Sequence, residues 1–304
     1  MDHPLLSSTQ TPLRKRMVHF LKTALAVQRS SNIVFLCGGN ESTHMRTYFK
    51  NYCEQHLPDY EIFLPEAAMG TVFSDELLEP FDLADFEELV GAISYAIVIF
   101  PEAPGSYAET GYFSATPTLS QKCILVMDYN RQHHDSFISL GPAKKISETS
   151  KFYPTINLNY SKPNFNTIIE RITSRRKHTY RKTLSVDKFS NLSAYELAAL
   201  LHTLVRFCKI ATTDDIQFFF RAIFSNRFSS SRVQKLISIL VGAEYLNIVG
   251  NYGHFVNNAS KPALATIKDG CKELEDELRL SIATVFQDGD PEFLRLLETV
   301  SNVD

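Results

Sequence analysis

The stretch AIVIFPEAPGSYAETGYFSA, Ala96–Ala115, decides the fold, because its pattern changes in mid-course. It opens with an apolar, β-branched run that reads as a strand buried on both faces. The run ends at Phe100, and Pro101 forbids its continuation. Pro104 and Gly105 predict a tight turn, and Ser106 the start of a helix carrying Glu109. The spacing Ser106-x-x-Glu109 fits a capping box, in which Glu109 reaches back to the Ser106 backbone. A functional reading fits as well. A carboxylate in the first turn of a helix lies in the positive end of the macrodipole, which favours its ionised form, and Glu102 stands on the adjoining loop. Paired carboxylates can cleave a glycosidic bond, one acting at the anomeric carbon and the other on the proton of the leaving group.

Working outward, NIVFLCGG, YEIFLPE and KCILVMD are further short apolar runs closed by Gly, Pro or an acid. Helical patterns lie between them, for example over Glu76–Ala92, so the order is βαβαβ and the class is α/β with a parallel sheet. In such sheets ligands bind beyond the carboxyl ends of the strands, where Gly38, Gly39, Glu102, Gly105 and Ser106 all fall. Gly38 and Gly39 would let a ribose or phosphate approach the backbone closely; a structural turn explains them almost as well.

The chain has 304 residues, 44% hydrophobic and 21% charged, as in ordinary globular proteins, so disorder is a poor reading. No apolar run approaches the roughly 18–20 residues a bilayer requires. The N-terminal segment lacks the continuous apolar stretch of a secretory signal, and a cytoplasmic protein with no membrane partner is expected. Five widely spaced cysteines with no CxxC pair read as free, mostly buried thiols, and no metal site is expected. A formal net charge of −3 leaves any nucleic-acid affinity to a local patch.

One such patch is RITSRRKHTYRKT, Arg171–Thr183, with six Lys or Arg and no acid. A solvated helix face or linker explains it at least as well as phosphate contact through Arg175, Arg176 and Lys177. Beyond it, SAYELAALLHTLVRFCK carries the capping box Ser193-x-x-Glu196, TTDDIQFFFRAIFS predicts a second helix and SSSRVQKLISILVGAEYL a third. Two short strands then flank Gly250–Gly253 as a hairpin. Three helices and a hairpin make the order of a winged helix-turn-helix, whose third helix would present Arg232, Gln234 and Lys235 to a groove. Small helical domains with a terminal hairpin also serve as protein-binding modules, and partner binding is the better expectation here, because SSSRVQKL is poor in basic residues. The expected organisation is an N-terminal helical segment over 1–29, a catalytic α/β domain over 30–160, a basic helical linker over 161–190 and a C-terminal domain over 191–304.

FLCGGN at 35–40, FLPE at 63–66 and above all FPEAPGSYAETGYFS followed by KCILVMD resemble the nucleoside 2-deoxyribosyltransferase-like fold. More closely, the chain is similar to effector proteins encoded beside retron reverse transcriptases, which join such a domain to a C-terminal winged-helix-like domain. The match lies mostly in residues 30 to about 145. The element PGS-x-x-E-x-G also resembles nucleotide N-glycosidases of the phosphoribohydrolase type. The resemblance implies a Rossmann-like parallel sheet and an N-glycosidase acting as an anti-phage toxin. Reverse transcriptase and its satellite DNA (msDNA) would hold it in check. It places Glu109 where the family has the glutamate that attacks C1′ of the sugar, and Glu102 where the transferases have an aspartate that contacts base or sugar. Asp82 or Asp85 would be the further acid near the leaving base. Gly38, Gly39, Gly105 and Ser106 would bind substrate. No cofactor is implied; a nucleotide, with NAD favoured as an abundant N-glycoside, is the expected substrate, and self-association is expected because family sites are often completed by a neighbouring subunit. The competing reading is a non-catalytic adaptor that senses a nucleotide and holds nucleic acid or the polymerase.

Overall fold

The computed structural model describes residues 3–28, 31–64, 66, 82–130, 135–174, 181–250, 253–289 and 291–301. The chain divides into two compact units, one of residues 30–67 and 82–179, the other including Met1–Arg29 and Tyr180–Asp304.

The first unit is built on a five-stranded sheet. Its strands are β2 (Ile33–Cys37), β3 (Glu61–Phe63), β4 (Ala96–Ile99), β5 (Cys123–Asp128) and β6 (Ile156–Leu158), in spatial order β3-β2-β4-β5-β6. Every pairing is parallel, with Val34 opposite Ala96, Ile97 opposite Cys123 and Val126 opposite Ile156. Parallel strands need crossovers, and here they are helical. The helices are α2 (Met45–His56), α3 (Leu83–Ile93), α4 (Pro104–Ala115), α5 (Pro117–Ser120), α6 (Lys144–Thr149) and α7 (Asn166–Ser174).

Alternation along the strands divides the core between two faces. Val34, Leu36, Val98, Phe100, Ile124 and Val126 pack with Met45, Phe49 and Cys53 of α2 and Ile168 and Ile172 of α7. The other face, carrying Phe35, Cys37, Ile97, Ile99, Leu125 and Met127, is met by Phe113 of α4, whose ring centre lies 6.1 Å from that of Phe35. β2, β4 and β5 are buried at every position, which is why they read as continuous apolar runs.

The second unit contains α1 (Thr11–Thr23), which packs against α11 (Lys272–Gln287), and a three-stranded antiparallel sheet in the order β11-β1-β7. Its strands are β1 (Leu25–Gln28), β7 (Arg181–Thr183) and β11 (Ala265–Ile267). The basic stretch expected to be a helical linker is therefore two things: α7, whose apolar side joins the core of the first unit, and the exposed strand β7. The N-terminal segment, expected to be helical, likewise ends in β1. The remaining order is α8 (Ala194–Cys208), β8 (Ile210–Ala211), α9 (Thr213–Phe224), α10 (Ser230–Gly242), β9 (Leu246–Val249) and β10 (His254–Asn257), followed by β11, α11 and α12 (Pro291–Ser301). The Ser193–Glu196 capping box is formed, and β9 pairs antiparallel with β10 as the hairpin signal indicates. The short strand β8 closes a second sheet against β10. Four of the five cysteines, all of them free, are buried. No helix among the described residues is long and apolar enough to cross a membrane.

Candidate functional site

Strand order reverses between β2 and β4, because the chain steps from β2 outward to β3 and then returns past β2 to form β4. Such a reversal opens a crevice at the carboxyl ends of the two strands. Two loops meet there, Gly38-Gly39 after β2 and Pro101-Glu102 after β4.

Glu102 joins the two loops. Its Oε2 accepts the Met45 N–H at 2.8 Å, and its Oε1 accepts the N–H groups of Arg46 at 3.2 Å and Gly39 at 3.3 Å. His44 stands at the N-cap of α2 with no side-chain cap of its own, so Glu102 supplies the anion that the helix terminus favours. This revises the proton-handling role expected for Glu102: both its oxygens are engaged in holding the crevice together. The glycines follow from the same packing. A Cβ at Gly38 would stand 2.7 Å from Arg46 Cβ and 3.0 Å from Glu102 Oε1, and one at Gly39 would fall on the His44 imidazole. The protein's own side chains require both glycines.

α4 begins at Pro104, so Ser106 is its third residue rather than its cap. Ser106 Oγ accepts the N–H groups of Glu102 at 3.1 Å and Ala103 at 3.0 Å and donates to the Ala103 carbonyl at 2.8 Å. The expected Ser106–Glu109 box is thus replaced by a Ser106 clasp on the Glu102 loop. It leaves Glu109 in the second turn, where the macrodipole is weak.

Glu109 is half-buried against β2, and its Oε2 is enclosed with no hydrogen-bond partner. Burial raises its pKa above the ordinary carboxylate range. A hydrogen bond from the Cys37 thiol and the charge of Arg46 pull it back down, and Glu66 pushes it up. The macrodipole reading expected an easily ionised acid; desolvation in the crevice outweighs it. Arg46, itself buried, is held by Glu66 through an Nη2–Oε1 bond of 2.7 Å. Cys37 is fully enclosed, and burial, with Glu109 and Glu87 nearby, pushes its thiol well above its ordinary pKa, so it is a hydrogen-bond donor here and no nucleophile.

The acid that α3 brings to this group is Glu87. Asp82 is the N-cap of α3, its Oδ1 accepting from Ala84 N–H at 2.9 Å and Asp85 N–H at 3.2 Å, and both Asp82 and Asp85 are exposed. Glu87 is buried; burial first, then Glu109 and Glu66, raise its pKa to about 8. The far end of α3 is fixed by Lys122, which donates to the carbonyls of Gly91 at 3.1 Å and Ala92 at 2.7 Å. The structure thus gathers Cys37, Arg46, Glu66, Glu87 and Glu109 into one electrostatic group. Of these only Glu109 is singled out by motif. Glu87 could have been read from helical spacing, since it lies three and four residues before Val90 and Gly91 on the inward side of α3.

Among the described residues no group of three or more His, Cys, Asp or Glu could hold a metal ion. Arg175, Arg176 and Lys177 lie outside the described residues. On α10, Arg232, Gln234 and Lys235 are half-buried, and the Arg232 guanidinium stands 5.9 Å over the Phe189 ring. The face expected to be offered to a groove is therefore partly occupied by its own unit.

Residues 42–248, more than half of the chain, match the family described as STM3845 retron effector protein. Two Escherichia coli proteins are also similar. The retron Ec86 candidate ribosyltransferase/DNA-binding protein is 31% identical over 124 residues, and its retron Ec73 counterpart is 31% identical over 122. Each match spans 39% of this chain and 39% of the relative.

Two outcomes follow. Glu102→Gln leaves one backbone N–H facing an amide NH2, and urea denaturation should show a loss of about 1–3 kcal/mol; an unchanged midpoint would contradict the anchoring role. The folded protein holds the Glu87 proton up to about pH 8, whereas the unfolded chain releases it in the ordinary carboxylate range. Between those limits the folded state binds more protons, so stability falls as pH rises. Glu87→Gln should remove that decline and gain on the wild type as pH approaches 8; parallel pH profiles would contradict the assignment.

Proposed function

From membership of the STM3845 retron effector family, to which this chain belongs, we propose that its first unit is an N-glycosidase that cleaves the base–sugar bond of a nucleotide. The observation that carries this reading is Glu109 Oε2, buried without a partner at the strand reversal, while the Cys37 thiol donates to the carboxyl and the charge of Arg46 favours its ionised form. A carboxylate stripped of water and fixed at one oxygen is an effective nucleophile toward an electrophilic carbon.

Glu109 Oε2 attacks C1′ of the sugar; the C1′–N bond breaks, and its electron pair leaves on the base nitrogen. Nicotinamide departs neutral and needs no proton. A purine or pyrimidine does need one, and Glu87, protonated up to about pH 8, is the acid in the group able to give it. Water then attacks C1′ and Glu109 is released as carboxylate; the proton of the water passes to Glu87 where Glu87 has donated its own, and to bulk solvent where nicotinamide has left and Glu87 is still protonated. Arg46 offsets the negative charge on Glu109 in the resting enzyme. The abundance of NAD makes it the favoured substrate of a toxin. Names that assign ribosyl transfer to the similar Escherichia coli proteins support the reaction class.

The second unit supports a winged-helix-like reading through its sequence of helix, short strand, two helices and hairpin, with sheet order β8-β10-β9. With Arg232 set over Phe189, its task is to hold a partner more than to read bases. The partners we propose are the retron reverse transcriptase and its satellite DNA, which restrain the toxin.

Chromatography of products from NAD, ATP and deoxynucleosides tests the assignment, with the protein alone and with reverse transcriptase and satellite DNA. Wild type should release one base, Glu109→Gln should lose at least about a thousandfold, and Glu87→Gln should spare NAD more than nucleosides. Silence from the wild type in every assembly would favour the adaptor instead.

A further inference from the structure

A cavity of about 570 Å3 opens beside the end of β5 and along β6. Met127 and Tyr129 line it from β5 and its exit, Asn157 and Thr155 from β6 and its approach, and Lys144 and Ser147 from α6. Its wall is tied internally: the Ser147 and Thr155 hydroxyls are 2.7 Å apart, Thr155 donates its N–H to Ser147 Oγ at 3.0 Å, and Thr155 Oγ1 donates to the Ala143 carbonyl at 3.1 Å. At its mouth stand an aromatic ring and a cation, Tyr129 at 72% exposure and Lys144, also exposed. Tyr129 is tied to the sheet through its backbone, by an N–H bond of 2.8 Å to the Leu158 carbonyl.

The position of the cavity relates it to Glu109. Met127 and Asn157 alternate with residues packed under α2 and α7, so they belong to the same face of the sheet as Cys37. Cys37 is level with Ile99, and Ile99 with Leu125. Met127 is then two strands across and two residues further along, and Asn157 one strand beyond. With strands ~4.8 Å apart and a rise of ~3.3 Å per residue, the cavity lies about 12–16 Å from Cys37. That exceeds one nucleoside and suits two nucleotides joined through a pyrophosphate. Between the two points, after β4, comes the first turn of α4, where the N-cap Ala103 offers no side-chain cap and no heavy atom stands within 4 Å of where a Gly105 Cβ would be. A helix terminus of this kind favours phosphate oxygens.

We propose that this cavity is a second nucleotide subsite, holding the half of a pyrophosphate-linked dinucleotide that does not carry the scissile bond. The proposal rests on the N-glycosidase reading for the identity of the other half. A purine ring stacks on Tyr129, Lys144 meets a phosphate, and the fixed hydroxyls of Ser147 and Thr155, with the Asn157 amide, face the polar edges of the nucleotide. The substrate class narrows accordingly, to dinucleotides over nucleosides.

Calorimetric titration with AMP and with ADP-ribose tests the subsite without catalysis. Wild type and Glu109→Gln should bind both, and Tyr129→Ala and Lys144→Ala, substitutions of exposed side chains, should each weaken binding about tenfold. In turnover, the same two variants should lower kcat/KM for NAD by more than for nicotinamide mononucleotide. AMP binding that is undetectable in the wild type, or equal in all four proteins, would overturn the subsite. Absence of base release from every substrate, with AMP binding still lost in Tyr129→Ala, would instead defeat the glycosidase reading and leave the subsite standing.

Discussion

One carboxylate organises the carboxyl end of the first unit's sheet. Glu102, at the end of β4, accepts N–H groups from the loop after β2 and from the first two residues of α2, so three elements converge on a single side chain. Hydrogen bonds to a charged acceptor are stronger than neutral ones, and these fix together the two loops that border the crevice opened by the strand reversal. Removing the side chain would release the N-terminus of α2, and with it the placement of Arg46. The Ser106 clasp on the backbone of Glu102 and Ala103 holds the same junction from the side of α4.

From that junction the electrostatics follow. Arg46 is buried and paired with Glu66, and its charge is felt by Glu109, which sits one helix away on α4. Glu87 and Glu109 share a space with little water, and burial first, then the neighbouring Glu109 and the half-exposed Glu66, raise the Glu87 pKa to about 8. The result is a division between two neighbouring carboxyls, one that keeps its proton to about pH 8 and one with an enclosed, unpartnered oxygen, the pair that the proposed reaction would use as acid and nucleophile. Such a separation of environments is how enzymes assign acid and nucleophile from the same residue type.

Strand runs were legible in the sequence because β2, β4 and β5 are buried on both faces and are apolar throughout, save for the Asp128 that closes β5. The hairpin around Gly250 and the Ser193–Glu196 box were legible because their signals are local. The role of Glu102 was hidden, since its partners are backbone groups 56 to 63 residues earlier in the chain. The pattern Ser106-x-x-Glu109 misplaced the helix start because Pro104, expected in a turn, suits the first helical position equally well. Asp82 and Asp85 drew attention as acids ahead of a helix, yet they serve the exposed end of α3, while Glu87 reaches inward only because the packing of α3 directs it there. The pairing of β1 with β7 and β11 joins segments about 150 and 240 residues apart, beyond any local pattern.

The central claim is that Glu109 bonds covalently to the sugar. Mass spectrometry of the protein after incubation with a 2′-fluoro-arabino analogue of NAD, in which deglycosylation is slowed, tests it directly. A sugar adduct on the peptide containing Glu109, absent from Glu109→Gln, is the result this account predicts. Base release with no adduct, or an adduct on another residue, would contradict it.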